Sequence, residues 1–452
     1  MANGALRVRS ETWTGGDTPL ARNVARPLVR FLAQETASGV LLLVATAAAL
    51  VWVNSPWGES YHTFWDTHLA IVLGDTTLID LSIHGWVNDA LMALFFFVVG
   101  MEIKSELITG DLRDPRVAAL PAVAALGGML VPALIYFAVN AGTDTVPGWG
   151  VPMATDIAFA VGVLALLGDR VPQPLKLFLL TLAIVDDIGA IAVIAVFYTS
   201  QLSLGWMGLA AAGIVLLVVL KRLHVWYIPV YAVIGTGIWY ATYRSGVHAT
   251  IAGVILGLLT PARPLLGPRM FERIEDILSG DDADPVAIRN ANWQLRERVP
   301  VTSRLITVLS PWTSFLVIPA FALANAGVAL SGEAISAAVA SRVTWGVLLG
   351  LVLGKPVGVF TFSMIATRSG VASMPAGLKP RHLLGGGAVA GIGFTVALFI
   401  STLAFERPEL VEDAVIGILS ASVLATLLGY VLLGWAHRVD LAEARAPATA
   451  DA

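Results

Sequence analysis

The chain has 452 residues, 57% of them hydrophobic and 13% charged, with a net charge of −4 and a mean hydropathy of +0.78. That balance excludes an ordinary soluble domain and indicates a polytopic membrane protein. Cysteine is absent, which excludes disulfides, thiolate catalysis and thiolate metal sites.

A polar, Arg-bearing stretch precedes the first apolar run with no small-residue cleavage site after it, so no secretory signal is expected. Apolar runs of spanning length follow at 36–54, 87–107, 117–139, 149–168, 176–198, 203–220, 225–242, 246–261, 304–329, 344–366, 383–405 and 411–435. Lys and Arg fall on alternate connections. Only Arg244, Arg342, Arg407 and Lys355 depart from that side, so the positive-inside rule places both termini in the cytoplasm. The expected organisation is a cytoplasmic tail at 1–35, a transmembrane domain at 36–436 and a disordered cytoplasmic tail at 437–452. The fold class is all-α, with 12 transmembrane helices.

Two connections are longer. Residues 55–86 lie outside, and HLAIVLGDTTLIDLSIH alternates at Ile79, Leu81 and Ile83 around a Gly74-Asp75 turn. This reads as a β-hairpin at 68–84. Its open edge could join a second copy in a homodimer, or be an ordered loop without a partner. Residues 262–303 lie inside. Phe271, Ile274, Ile277 and Leu278 are spaced for a surface amphipathic helix, and a plain linker is the alternative.

The fifth run, LFLLTLAIVDDIGAIAVIAVF, carries Asp186 and Asp187 at its centre. A carboxylate at that depth costs several kcal/mol and marks a functional site. Two adjacent acids repel, so the pair should exchange protons for a cation. Asp156 in the fourth run follows Pro152 and Thr155, where proline interrupts the helix and leaves oxygens beside the break. A kinked helix with Asp156 only capping is the plainer alternative. Lys355, mid-way along the tenth run, needs one of these acids as counter-charge. Gly350, Gly354 and Gly358 give its helix a face for close approach, and Pro356 adds a kink.

Gly385, Gly386, Gly387, Gly391 and Gly393 make an unbroken eleventh helix improbable. Its GIGFTV pairs with MATDIAF of the fourth run as interrupted spans in two halves, a pointer to a transporter site; close packing is the alternative. Glu102 and Glu106 share a helix face near the inner end of the second run. They could draw cations into a funnel or be an ordinary hydrated helix end. His248 reads as packed and hydrogen-bonded rather than as a relay.

The stretches NDALMALFFFVVGMEIKSEL, MATDIAFAVG, LAIVDDIGAI, SGVHATIAG, PAFALANAGV, GKPVGV and GIGFTVALFI, in that order, resemble the NhaA-type bacterial sodium/proton antiporters. The resemblance implies inverted repeats in which spans 4 and 11 are broken and cross. It implies a cation and proton site of Asp187, Asp186, Thr155 and Asp156, with Asp187 the principal Na⁺ ligand and Asp186 paired to Lys355 when the cation is absent. Lys355 and Asp156 would offset the partial charges of the broken helix ends. Glu102 and Glu106 would serve the pH response, and the hairpin would be the dimer contact. Ser105 stands where members often have Arg, and Leu305–Trp312 lacks the family's Glu and His, so the departures touch pH response rather than the core. The implied activity is export of Na⁺, and Li⁺ with it, against inward protons in the inner membrane. No cofactor, no enzyme chemistry and no nucleic-acid partner is expected; lipid is the surroundings. The alternative is a cation-coupled solute transporter of the same general fold.

Overall fold

The computed structural model describes residues 37–199, 202–223, 225, 227–263 and 298–445. The tail at 1–35 and most of the 262–303 connection, including its proposed amphipathic helix, lie outside the described residues. The described chain is mostly helical, with one two-stranded sheet.

The first apolar helix, α1 (Ala37–Val53), turns sharply into α2 (Gly58–Asp66), at 112°. Asn54 secures that corner: its amide donates to Val328 O at 2.9 Å, and its oxygen accepts from Leu330 N at 2.6 Å. The hairpin follows as β1 (His68–Leu73) and β2 (Thr76–Ser82), antiparallel, with Leu73 opposite Thr76. Gly74 takes φ +60° at the turn, a conformation open to glycine. The strand ends before Ile83, which the alternation had included; Ile83 begins a helical turn capped by the Ser82 hydroxyl. All of β1 is exposed, while Ile79 of β2 is buried.

The chain then runs through a π turn (Trp86–Leu91) into α3 (Met92–Ile108) and on to α4 (Pro115–Asn140). The fourth run is broken, as its proline suggested. A 3₁₀ segment, Val146–Met153, ends two residues past Val151, residues 154–156 are extended, and α5 (Ile157–Leu167) resumes at an angle of 40°. Helices α6 (Gln173–Phe197), α7 (Leu204–Arg222), α8 (Ile228–Arg244) and α9 (Ala249–Leu259) follow.

The ninth apolar run is α10 (Val301–Trp312), a π turn and α11 (Ile318–Asn325). A short helix that the sequence reading did not include, α12 (Gly332–Ala340), leads to α13 (Arg342–Leu349), a third π turn and α14 (Lys355–Arg368). The π turns Thr313–Val317 and Gly350–Gly354 each end two residues before a proline, Pro319 and Pro356. A proline ring clashes with the carbonyl four residues back, and widening that turn relieves it, so the helix bulges where a kink was expected. The glycine face behaves as read: a Cβ on Gly354 would sit 2.8 Å from Pro132 Cα in α4.

The eleventh run is also broken, into α15 (Pro380–Ala390) and α16 (Phe394–Ala404), bent by 51°. The last helix, α17, runs Pro408–Arg445. Residues 437–445 are therefore helical, not the disordered tail their composition suggested, because they are tied by ion pairs to the start of α15. Among the described residues six helices are long and apolar enough to cross a bilayer, or nine if each bent pair counts as one span.

Candidate functional site

The two breaks meet. Asp156 N donates to Ile392 O at 2.7 Å, joining the extended backbone of one break to that of the other. Each break leaves helix ends whose backbone groups have no intrahelical partner. Asp156 meets two of those ends. Its Oδ1 accepts from Phe159 N at 3.0 Å, capping α5. Its Oδ2 accepts from Thr395 N at 3.1 Å and from Thr395 Oγ1 at 2.7 Å, in the first turn of α16. An anion between two helix N-termini is favoured by both partial positive charges. Asp156 does cap, as the plainer reading had it, but it caps both broken helices at once.

Thr155 lies beside it, buried. Its Oγ1 is 2.8 Å from Asp186 Oδ2 and 2.8 Å from Ala390 O, and it accepts from Lys355 Nζ at 2.9 Å. One hydroxyl proton serves two acceptors, so the Asp186 and Ala390 contacts compete. Lys355 Nζ also donates to Asp186 Oδ2 at 2.5 Å, with both side chains fully buried. Asp186 Oδ1 is buried with no hydrogen-bond partner among the described residues.

Asp187 is buried as well, and among the described residues its carboxylate makes no hydrogen bond. Successive residues on a helix point about 100° apart, so the two acids do not form one flat pair. Asp186 takes Thr155 and Lys355; the charged neighbours of Asp187 are Asp186, Glu102, Asp156 and Lys355. Glu102 and Glu106, read as one stacked pair, divide: the charge of Glu102 acts on Asp187, while Glu106 Oε2 accepts from Asp111 N at 3.0 Å beyond the end of α3. His248 Nε2 lies 2.5 Å from Tyr198 O, a packed contact as expected.

A small cavity reaches the cluster from one side, lined by Thr155, Ala160, Leu164, Ala183 and Ala390 and extending to Lys176. Phe399 of α16 lies 5.4 Å from Phe96 and 6.2 Å from Phe321, ring centre to ring centre, and all three are buried. Among the described residues no group of three or more His, Cys, Asp or Glu is arranged to hold a metal ion. Thr395 was not singled out from the sequence as a site residue. Its only signal was its place in GIGFTV, matching Thr155 in MATDIAF.

Apolar helices, two of them interrupted, around a buried carboxylate–ammonium cluster define a multi-pass membrane protein with an ionic centre. The profile of the family described as Na⁺/H⁺ antiporter 1 matches residues 29–433, and the chain belongs to that family. It is similar to the Na(+)/H(+) antiporter NhaA 2 of Myxococcus xanthus, 48% identical over 431 residues, covering 92% of this chain and 90% of that one. It is also similar to the Na(+)/H(+) antiporter NhaA 3 of Frankia alni, at 46% over 415 residues, 91% and 89% of the two chains. The Na(+)/H(+) antiporter NhaA of Oleidesulfovibrio alaskensis is 46% identical over 423 residues, 90% of this chain and 93% of its own.

Proposed function

We propose that this protein exchanges sodium, and lithium with it, for protons across the bacterial inner membrane, through the cluster at the two breaks. The family and the names of the relatives support the exchange itself. The observation that carries the site is the pairing of an orphaned Asp186 Oδ1 with an Asp187 carboxylate that has no hydrogen bond. Asp186 already has the Lys355 ammonium, but a buried carboxylate with neither hydrogen bond nor ion pair among the described residues, as Asp187 is, favours taking a proton or a cation.

Sodium is a hard ion, and the oxygens within reach suit it: Asp187, Asp186, the Thr155 hydroxyl and the Ala390 carbonyl. Asp187 is the principal ligand. Lys355 holds Asp186 while the cation is away, and the ion displaces it on arrival. Asp156, with both oxygens engaged by helix ends, compensates charge rather than binding the ion in this state. The order of events is competition: protonation of the acids expels sodium, and sodium expels the protons. If both Asp186 and Asp187 change protonation, more than one proton moves per sodium and exchange is electrogenic. Glu102, whose charge acts on Asp187, serves entry of cations. The cavity that runs from Thr155 to Lys176 supports an arrangement open toward the cytoplasm.

The topology that suits this mechanism has 12 spans and both termini in the cytoplasm. Besides the long helices, it counts α1 alone, the helix from Ile83 to Ile108, α8, α9 and the two broken spans, related as inverted repeats. The exposed strand β1 is the place for a homodimer contact.

Everted vesicles carrying the protein and a pH-sensitive dye test the function. Addition of Na⁺ should dequench the dye, and Asp187→Asn should abolish the response while the protein still reaches the membrane. Normal exchange by Asp187→Asn would overturn the site. Dequenching that required an organic solute would favour the solute transporter instead.

A further inference from the structure

A second charged cluster lies far from the exchange site, at the opposite end of α15. The side chain of Asp440, on α17, accepts from Lys379 Nζ at 2.9 Å and from His382 Nε2 at 2.7 Å, and pairs with Arg381. One turn on, Glu443 takes both terminal nitrogens of Arg381, at 2.7 and 2.6 Å, and Lys379 Nζ at 2.6 Å. The imidazole of His382 is buried, and its Nδ1 accepts from Lys379 N at 3.1 Å, so it caps the first turn of α15 while reaching Asp440. A helix of 38 residues is far longer than a bilayer core requires, at about 1.5 Å per residue against about 30 Å of hydrocarbon. The excess is what carries Asp440 and Glu443 to this cluster.

Between the cluster and the site, α15 and α17 are in close contact. A Cβ on Gly385 would meet Leu433 N at 3.3 Å, and one on Gly429 would meet Val389 N at 3.3 Å. Helix α15 then ends at Ala390, whose carbonyl faces Thr155 Oγ1, and Ile392 O takes Asp156 N two residues later. From this geometry we infer that Asp440 is a positioning residue for ion exchange: the end of α17 clamps the start of α15, and the two move as one body that sets the Ala390 carbonyl against Thr155. This rests on the function proposed above.

The clamp is tested in the full chain. Asp440→Asn should raise the sodium concentration for half-maximal exchange by about 10-fold, the scale on which outer partners tune a bound ion, and leave the maximal rate unchanged. Asp440→Glu should restore the parental value. Because the chain has no cysteine, Lys379→Cys with Glu443→Cys leaves only two thiols for a bifunctional thiol reagent to join, and cross-linked protein should exchange normally. A parental sodium dependence in Asp440→Asn, a loss only of maximal rate, or a block by the cross-link would overturn the inference. If the parent itself exchanged no sodium, the proposed function would fail instead. The clamp would then be judged by hydrogen exchange: faster exchange at residues 380–395 and 154–157 in Asp440→Asn supports it, and parental rates there refute it.

Discussion

Lys355 and Asp186 are mutually dependent. The lysine is fully buried, and the nearest anion is Asp186 at 2.5 Å. Removing one member of a buried pair strands the other, at about 3–5 kcal/mol. Lys355→Ala should therefore lower the thermal midpoint of the detergent-purified protein sharply, whereas Lys355→Arg should lower it less; equal midpoints for parent and Lys355→Ala would contradict the pairing. Residue types alone pointed to one of the aspartates, because an ammonium in lipid has few choices of partner; that it would be Asp186 came from the resemblance. Thr395 was not legible. A threonine in a glycine-rich apolar run carries no signal of its own, and its partner, Asp156, is 239 residues away. Glu106 shows the same limit from the other side. Its spacing from Glu102 suggested a pair, but the backbone of Asp111 claims its carboxylate.

Among the elements, packing of α3 on α9 is set by glycine. A Cβ on Gly100 would come within 2.7 Å of Val254 O and 3.1 Å of Val254 Cα. Backbone cannot yield as a side chain does, so Gly100→Val should cost about 1–3 kcal/mol through overpacking, read as a lower unfolding midpoint. The α15–α17 clamp offers a pH test. For Asp440, burial pushes the carboxyl up, but hydrogen bonds from Arg381, Lys379 and His382 outweigh it and hold it well below the usual carboxylate range. Hydrogen bonds from Arg381 and Lys379 bring Glu443 down to about 2. Carboxyls lowered in this way stabilise the fold above their ordinary value of about 4, and that contribution is lost only as pH falls through the folded value. The midpoint advantage of parent over Asp440→Asn should thus persist down to about pH 5 and be lost only in stronger acid. An advantage already gone at about pH 5 would contradict it. Alternation exposed the hairpin, and proline and glycine exposed both broken helices. The helical end of α17 was hidden because Ala-rich polar sequence suits both a tail and a helix; the ion pairs that decide between them join segments 59 and 61 residues apart.

For the whole molecule, the arrangement of charge decides what can move. Asp156 is bonded to two helix N-termini, Asp186 is paired to Lys355, and Asp187 has no such bond. If Asp186 and Asp187 both release protons as sodium enters, exchange carries net charge. In proteoliposomes, a membrane potential, inside negative, should then change the rate of sodium-driven proton movement; voltage-independent exchange would limit the site to one proton per ion. Hydropathy reveals membrane class, but not how two halves of a chain fold around each other. The meeting of the two breaks is a contact between residues 156 and 392 that no local pattern encodes. The most direct test of the whole account is to add sodium to purified protein in weakly buffered detergent and measure proton release. The account predicts that protons come off in proportion to sodium bound, that apparent sodium affinity rises with pH, and that Asp187→Asn releases none. Sodium binding without proton release, at an affinity indifferent to pH, would contradict it.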